Sequence, residues 1–290
     1  MASGALADVI RHKLGDLSPA ERKVARVLLA NYPSAGFETV AVLAERAGVS
    51  APTVIRFVNR LGYRGFPDFQ TALREELDER NASPLSLYES ADRTRADEAP
   101  AGEASLLEQG SRLFSSAVGQ TLTELPPHDL EHAVSLLADG RRRITLTGGR
   151  FTHLLAQYLG LHLMQLRGDI RLLPAGDVER TAALGTLTRR DVLVVFDYRR
   201  YEEDKVTMAQ LALEQGAKVI LFTDRWLSPV SAHAEVVLPS LVTTPSPYDS
   251  LVPTLAVVET VVAGVVAALG DEAPARLRHT EETARRLGLQ

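Results

Sequence analysis

Apolar positions fall into two regimes along the chain. Up to about residue 80 they recur at helical spacing. In "LSPAERKVARVLLANYP" Ser18 stands at an N-cap, Pro19 at the first helical position and Glu21 at the capping-box position, and Pro33 closes the segment. Further on, Val54, Phe57, Val58 and Leu61 fall at i, i+3, i+4 and i+7, which is one buried stripe on a helix.

From residue 105 the pattern changes. Two helical stretches lead into the short apolar runs 143–149, 170–174, 191–198, 218–224 and 235–239, mostly separated by helical segments. Runs that are continuous rather than alternating predict strands buried on both faces, and intervening helices predict right-handed crossovers. The second part is therefore expected to be a doubly wound α/β layer with about five parallel strands. Residues 81–104 are small, polar and charged without a sustained period, and read as a linker. The expected division is 1–80, a linker 81–104, and 105–290. Residues 251–270 approach the length of a bilayer span, but Glu259 sits near their middle. They read as a buried helix against a sheet or a subunit interface, and no membrane is expected.

Composition narrows the function classes. With 45% apolar and 24% charged residues the chain is an ordinary globular one, and zero cysteines exclude disulfides, thiolate metal sites and a cysteine nucleophile. A reducing compartment, and hence the cytoplasm, is expected. The amino-terminal stretch has no apolar core of signal-peptide length before Arg11, Lys13 and Asp16. A net charge of -5 rules out a globally basic coat for nucleic acid, so any such binding must come from a local patch.

One patch qualifies. Residues 46–66, "RAGVSAPTVIRFVNRLGYRGF", hold four arginines and no carboxylate. Read as a helix-turn-helix, Ala44 supplies the small residue at the helix crossing, Gly48 tolerates the turn, and Ser50 caps the second helix. Thr53, Arg56, Asn59 and Arg60 are then expected to face outward, with Arg64 in the turn that follows. Arg56 has Pro52 four residues before it and Arg60 four after it, so neither arginine gains a carboxylate along its own helix. Ser50, Thr53, Arg56, Asn59, Arg60 and Arg64 are the expected contacts to double-stranded DNA.

The same stretch, from "LSPAERKVARVLLANYP" through "VAVLAERAGVSAPTVIRFVNRLGYRGFPDFQTALREEL", resembles the helix-turn-helix domain of RpiR-type bacterial transcriptional regulators. Its most specific part is "LGYRGFPDF" after the recognition helix. Residues 105–270 resemble a sugar-isomerase (SIS) domain. The resemblance implies an all-α helix-turn-helix domain followed by a three-layer α/β SIS domain that senses a sugar phosphate or related metabolite and modulates DNA binding. It further implies a homodimer or higher homo-oligomer. SIS folds also serve ketose–aldose isomerases, which need a positioned general base. His153, His162 and His233 are scattered, and neither metal-ligand spacing nor a nucleophile elbow is present. The expectation is a regulator of metabolic genes, not an enzyme, with no cofactor and no metal.

Open parallel sheets bind ligands at the carboxyl ends of their strands, so the loops after 148, 197 and 223 are the candidate site. SIS domains carry Gly-x-Gly-x-Ser after the first strand. This chain has "GGRFT", keeping Gly148, placing Thr152 at the hydroxyl and Arg150 where the second glycine would stand. The family's Ser-x-Ser-Gly-x-Thr after the third strand is replaced by "FDYRRYEED", with Asp197, Tyr198, Arg199 and Arg200. Two readings stay open. Either Arg150, Arg199 and Arg200 hold a small anionic metabolite through guanidinium forks while Asp197 or Tyr198 orients its hydroxyls, or the arginines pair with Glu202, Glu203 and Asp204 and the site is degenerate. In "TTPSPYDSL", Ser246, Asp249 and Ser250 read as helix caps rather than ligand contacts.

Overall fold

The computed structural model describes residues 6–89, 105–244 and 246–289. It divides into two compact units, residues 1–82 and 83–290. Residues 90–104, most of the expected linker, lie outside the described residues.

The first unit is all helix: α1 (Leu6–Lys13), α2 (Pro19–Ala30), α3 (Val40–Ala47), α4 (Ala51–Leu61) and α5 (Phe66–Asn81), with a short 3-10 turn at Ser34–Phe37. The predicted capping box forms at α2. Glu21 N–H donates to Ser18 Oγ at 3.3 Å and Ser18 N–H donates to Glu21 Oε2 at 2.8 Å. Val54, Phe57, Val58 and Leu61 are buried as their spacing predicts, in a core shared with Val24, Leu28, Leu43, Phe69 and Leu73. Burying one such side chain contributes about 1.5–3 kcal/mol, so this core holds the unit's helices together.

The second unit opens with α6 (Leu106–Glu124) and α7 (Pro127–Ala138). Then follow β1 (Arg143–Gly148), α8 (His153–Leu166), β2 (Ile170–Leu172), α9 (Asp177–Gly185), β3 (Asp191–Phe196), α10 (Glu203–Glu214), β4 (Lys218–Asp224), β5 (Val236–Ser240), α11 (Val252–Leu269) and α12 (Glu272–Arg286). The five strands are all parallel, in the order β2-β1-β3-β4-β5. β3 is buried at every position, as its unbroken apolar run requires, whereas the edge strand β2 is half-buried throughout. α10 packs on β3 and β4, and α7, α8 and α11 pack on strands of the same sheet. Leu193, Val195, Val219 and Leu221 meet Met208, Ala209 and Ala212 of α10 in one core. The apolar helix α11 lies against β5, α6, α7 and α8, and Glu259 accepts a hydrogen bond from Tyr158 Oη at 3.0 Å.

This order reverses the direction of winding between β1 and β3, since β2 is added on one side of β1 and β3 on the other. Gly148 is level with Phe196, and Phe196 with Phe222, so the carboxyl ends of the three central strands share one edge. Such an edge is where the loops of an open sheet part to leave a crevice.

Candidate functional site

In the first unit the turn between α3 and α4 is built as its residues dictate. Gly48 adopts the left-handed conformation at φ 61°, which a side chain would resist, and its N–H donates to Glu45 O at 3.0 Å. Ser50 occupies the N-cap position of α4 but does not cap it through its side chain. Its hydroxyl instead lies 3.1 Å from Thr53 Oγ1. Thr53 is a correction to the outward-facing set. It is 5% exposed, and its hydroxyl accepts from Arg56 Nη2 at 3.0 Å.

Arg56, Asn59, Arg60 and Arg64 are exposed. Arg60 has a carboxylate partner that its own helix does not show. Its Nε donates to Glu21 Oε1 at 3.2 Å, from α4 to α2. Lys13, which the pattern alone does not single out, donates through Nζ to Arg60 O at 3.0 Å and so puts a cation at the carboxyl end of α4. The exposed face of α4 and the turn after it thus present guanidiniums and an amide, the groups that hold phosphates and read base edges.

In the second unit a cavity of about 400 Å³ opens at the carboxyl ends of β1 and β3. It is lined from the β1 loop by Arg150 and Phe151, from the β3 loop by Arg199, Arg200 and Glu202, and from the approach to α11 by Tyr248 and Asp249. Every residue of the expected ligand set except Gly148 lines it, but their roles divide.

Gly148 is a packing residue, because a Cβ there would lie 2.6 Å from the backbone of Thr152 and His153. Thr152 is buried, and its hydroxyl is spent within the fold, donating to Phe196 O at 2.9 Å and accepting from Gly149 N–H at 2.8 Å. It ties the β1 loop to β3. Tyr198 points inward, 8% exposed, with its hydroxyl 3.0 Å from Ser240 Oγ. Asp197 is 2% exposed, accepting from Ser228 Oγ and, at 3.3 Å, from Glu202 N–H. Neither Asp197 nor Tyr198 is free to orient a ligand hydroxyl.

The arginines also separate. Arg199 is bound by Asp249 through Nε at 2.9 Å and through Nη2, and its guanidinium lies 5.4 Å from the Trp226 ring centroid. Its partner is therefore neither a ligand nor Glu202, Glu203 or Asp204. Glu202 and Asp204 have other cations: Lys205 Nζ reaches Glu202 Oε2 at 2.8 Å and Asp204 Oδ1 at 3.0 Å, and Arg180 lies 3.6 Å from Asp204. Arg150 is exposed and Arg200 half-exposed, and both open onto the cavity. Ser250 does act near the start of α11, where its Oγ accepts from Val252 N–H at 3.2 Å.

Two buried carboxyls stand under the cavity. Burial pushes Asp197 up to about 6 despite its hydrogen bonds from Ser228 and Glu202. Burial likewise pushes Asp224 up to about 6, against hydrogen bonds from Tyr201 Oη at 2.7 Å, Arg199 N–H and Trp226 N–H. These groups anchor the β3 and β4 loops. His153, His162 and His233 do not line the cavity, and among the described residues no group of three His, Cys, Asp or Glu side chains is placed to hold a metal ion.

Residues 4–80 match the helix-turn-helix domain of the rpiR family, and residues 136–264 match the SIS domain. The chain belongs to the RpiR family. A relative along nearly its whole length is the HTH-type transcriptional regulator HexR of Pseudomonas aeruginosa, 27% identical over 96% of this chain and 95% of that one. The bifunctional protein glk of Burkholderia orbicola is 31% identical over 82% of this chain, which spans only 35% of that protein's length. Among solved structures, the sugar isomerase domain of the RpiR transcription factor from Sphaerobacter thermophilus is 27% identical with a TM-score of 0.56, over 61% of this chain and 98% of that one. The Vibrio vulnificus NanR protein, solved with ManNAc-6P, shares the fold at 18% identity and a TM-score of 0.54, over 97% of this chain and 98% of that one.

Proposed function

We propose that this RpiR-family chain is a cytoplasmic, homo-oligomeric transcriptional regulator of metabolic genes. Residues 1–80 read an operator, and residues 105–290 bind a small anionic metabolite that changes operator affinity. The observation that carries the reading is the exposed arginine face of α4 behind the Gly48 turn, in a chain that also holds a strand-end cavity with two guanidiniums opening onto it. Arg56, Asn59, Arg60 and Arg64 are the contacts to duplex DNA, and Ser50 lies beside them at the amino end of α4. Thr53 supports Arg56 from beneath. Arg150 and Arg200 hold the effector's anion, as charge-assisted hydrogen bonds from guanidinium favour. NanR, with its bound sugar phosphate, makes phosphorylated sugars one class to try, and sugar acids are a second.

The test is selection of bound fragments from genomic DNA with the purified chain, followed by anisotropy titration of a recovered duplex across a salt series. Saturable, sequence-dependent binding that weakens with salt is expected. Binding that does not distinguish the recovered duplex from bulk DNA removes the reading.

A further inference from the structure

The amino ends of α8 and α10 converge on the floor of the cavity, beside the carboxyl ends of β1 and β3. Helix amino ends at such an edge favour an anion. Here the place is filled from within the chain. Glu202 lines the cavity at the N-cap of α10, and its Oε1 lies 3.1 Å from where a Cβ on Gly149 would stand. The absence of a side chain at Gly149 is what makes room for it. Its other oxygen accepts from Lys205 Nζ at 2.8 Å, on a lysine whose side chain is only 5% exposed.

We propose that Glu202 is the specificity-determining residue of the cavity, a built-in anion that excludes phosphate from the strand ends and leaves there an acceptor for a hydroxyl or ammonium group of the effector. An ionised carboxylate can only accept hydrogen bonds, so whatever faces it must donate. A phosphate brought against it meets a like charge in a partly desolvated place, a juxtaposition that disfavours binding strongly. The effector's own anionic group then lies towards Arg150 and Arg200. Lys205 completes the device: it is shared between Glu202 and Asp204, and Asp204 is also within 3.6 Å of Arg180, so removing Glu202 leaves this cluster with a net positive charge that a phosphate could answer. This rests on the reading of the cavity as the effector site, but its test does not require the effector.

The probe is inorganic phosphate, titrated by 31P NMR against the full chain. Wild type is expected to bind only weakly, and only as far as Arg150 and Arg200 allow, so that Arg150→Ala with Arg200→Ala removes what binding there is. Glu202→Gln, which keeps the shape and removes the charge, is expected to bind at least about tenfold more tightly than wild type. That gain should vanish in Glu202→Gln with Lys205→Met, and should survive in Glu202→Gln with Arg200→Ala. Glu202→Ala serves in the same way if the glutamine variant does not fold, with circular dichroism as the check. Saturable phosphate binding by wild type that survives Arg150→Ala with Arg200→Ala overturns the proposal, and so does a folded Glu202 variant that gains none. A wild-type chain whose DNA binding responds to no metabolite would instead sink the effector reading and leave the phosphate result standing.

Discussion

Arg60 and Glu21 join the exposed helix α4 to the cap of α2. The carboxylate of Glu21 accepts from Arg60 Nε at 3.2 Å through one oxygen and from Ser18 N–H at 2.8 Å through the other. Glu21 is 4% exposed at its side chain and Arg60 52%, so the pair is wet on the arginine side only. Burial would raise the Glu21 carboxyl, yet the hydrogen bonds from Ser18 and Arg60 outweigh it and hold the group below its ordinary value. Arg60 thus has a structural tie in addition to its place on the exposed face of α4, whereas among the described residues Arg56 is braced by the Thr53 hydroxyl.

Replacing the two arginines should therefore have different consequences. Arg56→Ala is expected to leave folding unchanged and to weaken operator binding by about 1–3 kcal/mol if it meets a base, or to flatten the salt slope by about one unit if it meets a phosphate. Arg60→Ala should show a similar loss of binding together with about 1 kcal/mol less stability of the amino-terminal unit, the upper range for a partly exposed ion pair. Denaturant titration and anisotropy on the same preparations separate the two. Equal stability of both variants would mean that the tie to Glu21 contributes nothing.

The three arginines at the cavity should separate likewise. Arg199 is 8% exposed at its side chain and bound by Asp249, so Arg199→Ala leaves a half-buried carboxylate without its partner. A stability loss of about 3 kcal/mol is expected, the lower end for breaking a buried pair. Arg150→Ala and Arg200→Ala should each leave the melting temperature within error while reducing effector affinity by about 1.5–3 kcal/mol, the scale of a charged hydrogen bond. Calorimetry with any metabolite that shifts operator binding reads the second effect. An effector whose affinity survives both substitutions returns the site to the degenerate reading.

What was legible in the sequence is what periodicity carries. The apolar runs place all five strands to within a few residues, and the stripe from Val54 to Leu61 is the buried face of α4. Thr53 escaped because it lies only about 40° around the helix from Phe57 at four residues' spacing, and which flank of a stripe is covered depends on the neighbouring helices. The bond from Arg60 to Glu21 spans 39 residues and that from Arg199 to Asp249 spans 50, distances at which no local pattern speaks. Asp197 and Tyr198 are expected from the sequence to orient a ligand, but they lie buried just beyond β3, where polar groups must be bonded inside the protein. Glu202 was visible as a charge at the start of a helix, but only the approach of Gly149 shows that it lies within the cavity.

The two raised aspartates set a pH dependence of opposite sign to the usual carboxylate. A folded-state value of about 6 for Asp197 and Asp224 means that the native chain holds these protons more tightly than the unfolded chain, whose aspartates titrate near ~4. Their contribution to stability is fully present below the unfolded value and is lost as pH rises through about 6. Glu21 acts in the other direction, since its lowered value gives stability that is lost as pH falls. Comparing wild type with Asp197→Asn by denaturant titration at a series of pH values isolates the first effect. The difference in stability between the two should shift steadily against wild type from pH 4 to pH 7 and level off beyond; a difference that is flat across that range would show that Asp197 carries no raised value.

The last expectation concerns assembly through α8 and α11. Leu154, Leu161 and Met164 on α8 are 53%, 51% and 44% exposed, and Val252 and Val266 on α11 are 44% and 39% exposed. Leu154 and Leu161 are seven residues apart with Met164 three further on, and Val252 and Val266 are fourteen apart, so each set keeps to one side of its helix. α8 and α11 pack against each other, so these exposed apolar residues belong to two adjoining helices. Scattered exposed leucines need no explanation, but five exposed apolar side chains on two adjoining helices cost free energy in water if they form one surface, unless something covers it. A second copy of the chain is the expected cover, and two-fold pairing would let two α4 helices meet half-sites about 34–36 Å apart or a multiple of that. Sedimentation at micromolar concentration should give a dimer or a larger assembly, and Leu161→Glu, which puts a charge in the middle of the surface without touching the core, should dissociate it. The same variant should lose affinity for a two-half-site operator far more than for a single half-site. A monomeric wild type, or a Leu161→Glu chain that assembles as wild type does, would remove this surface from consideration.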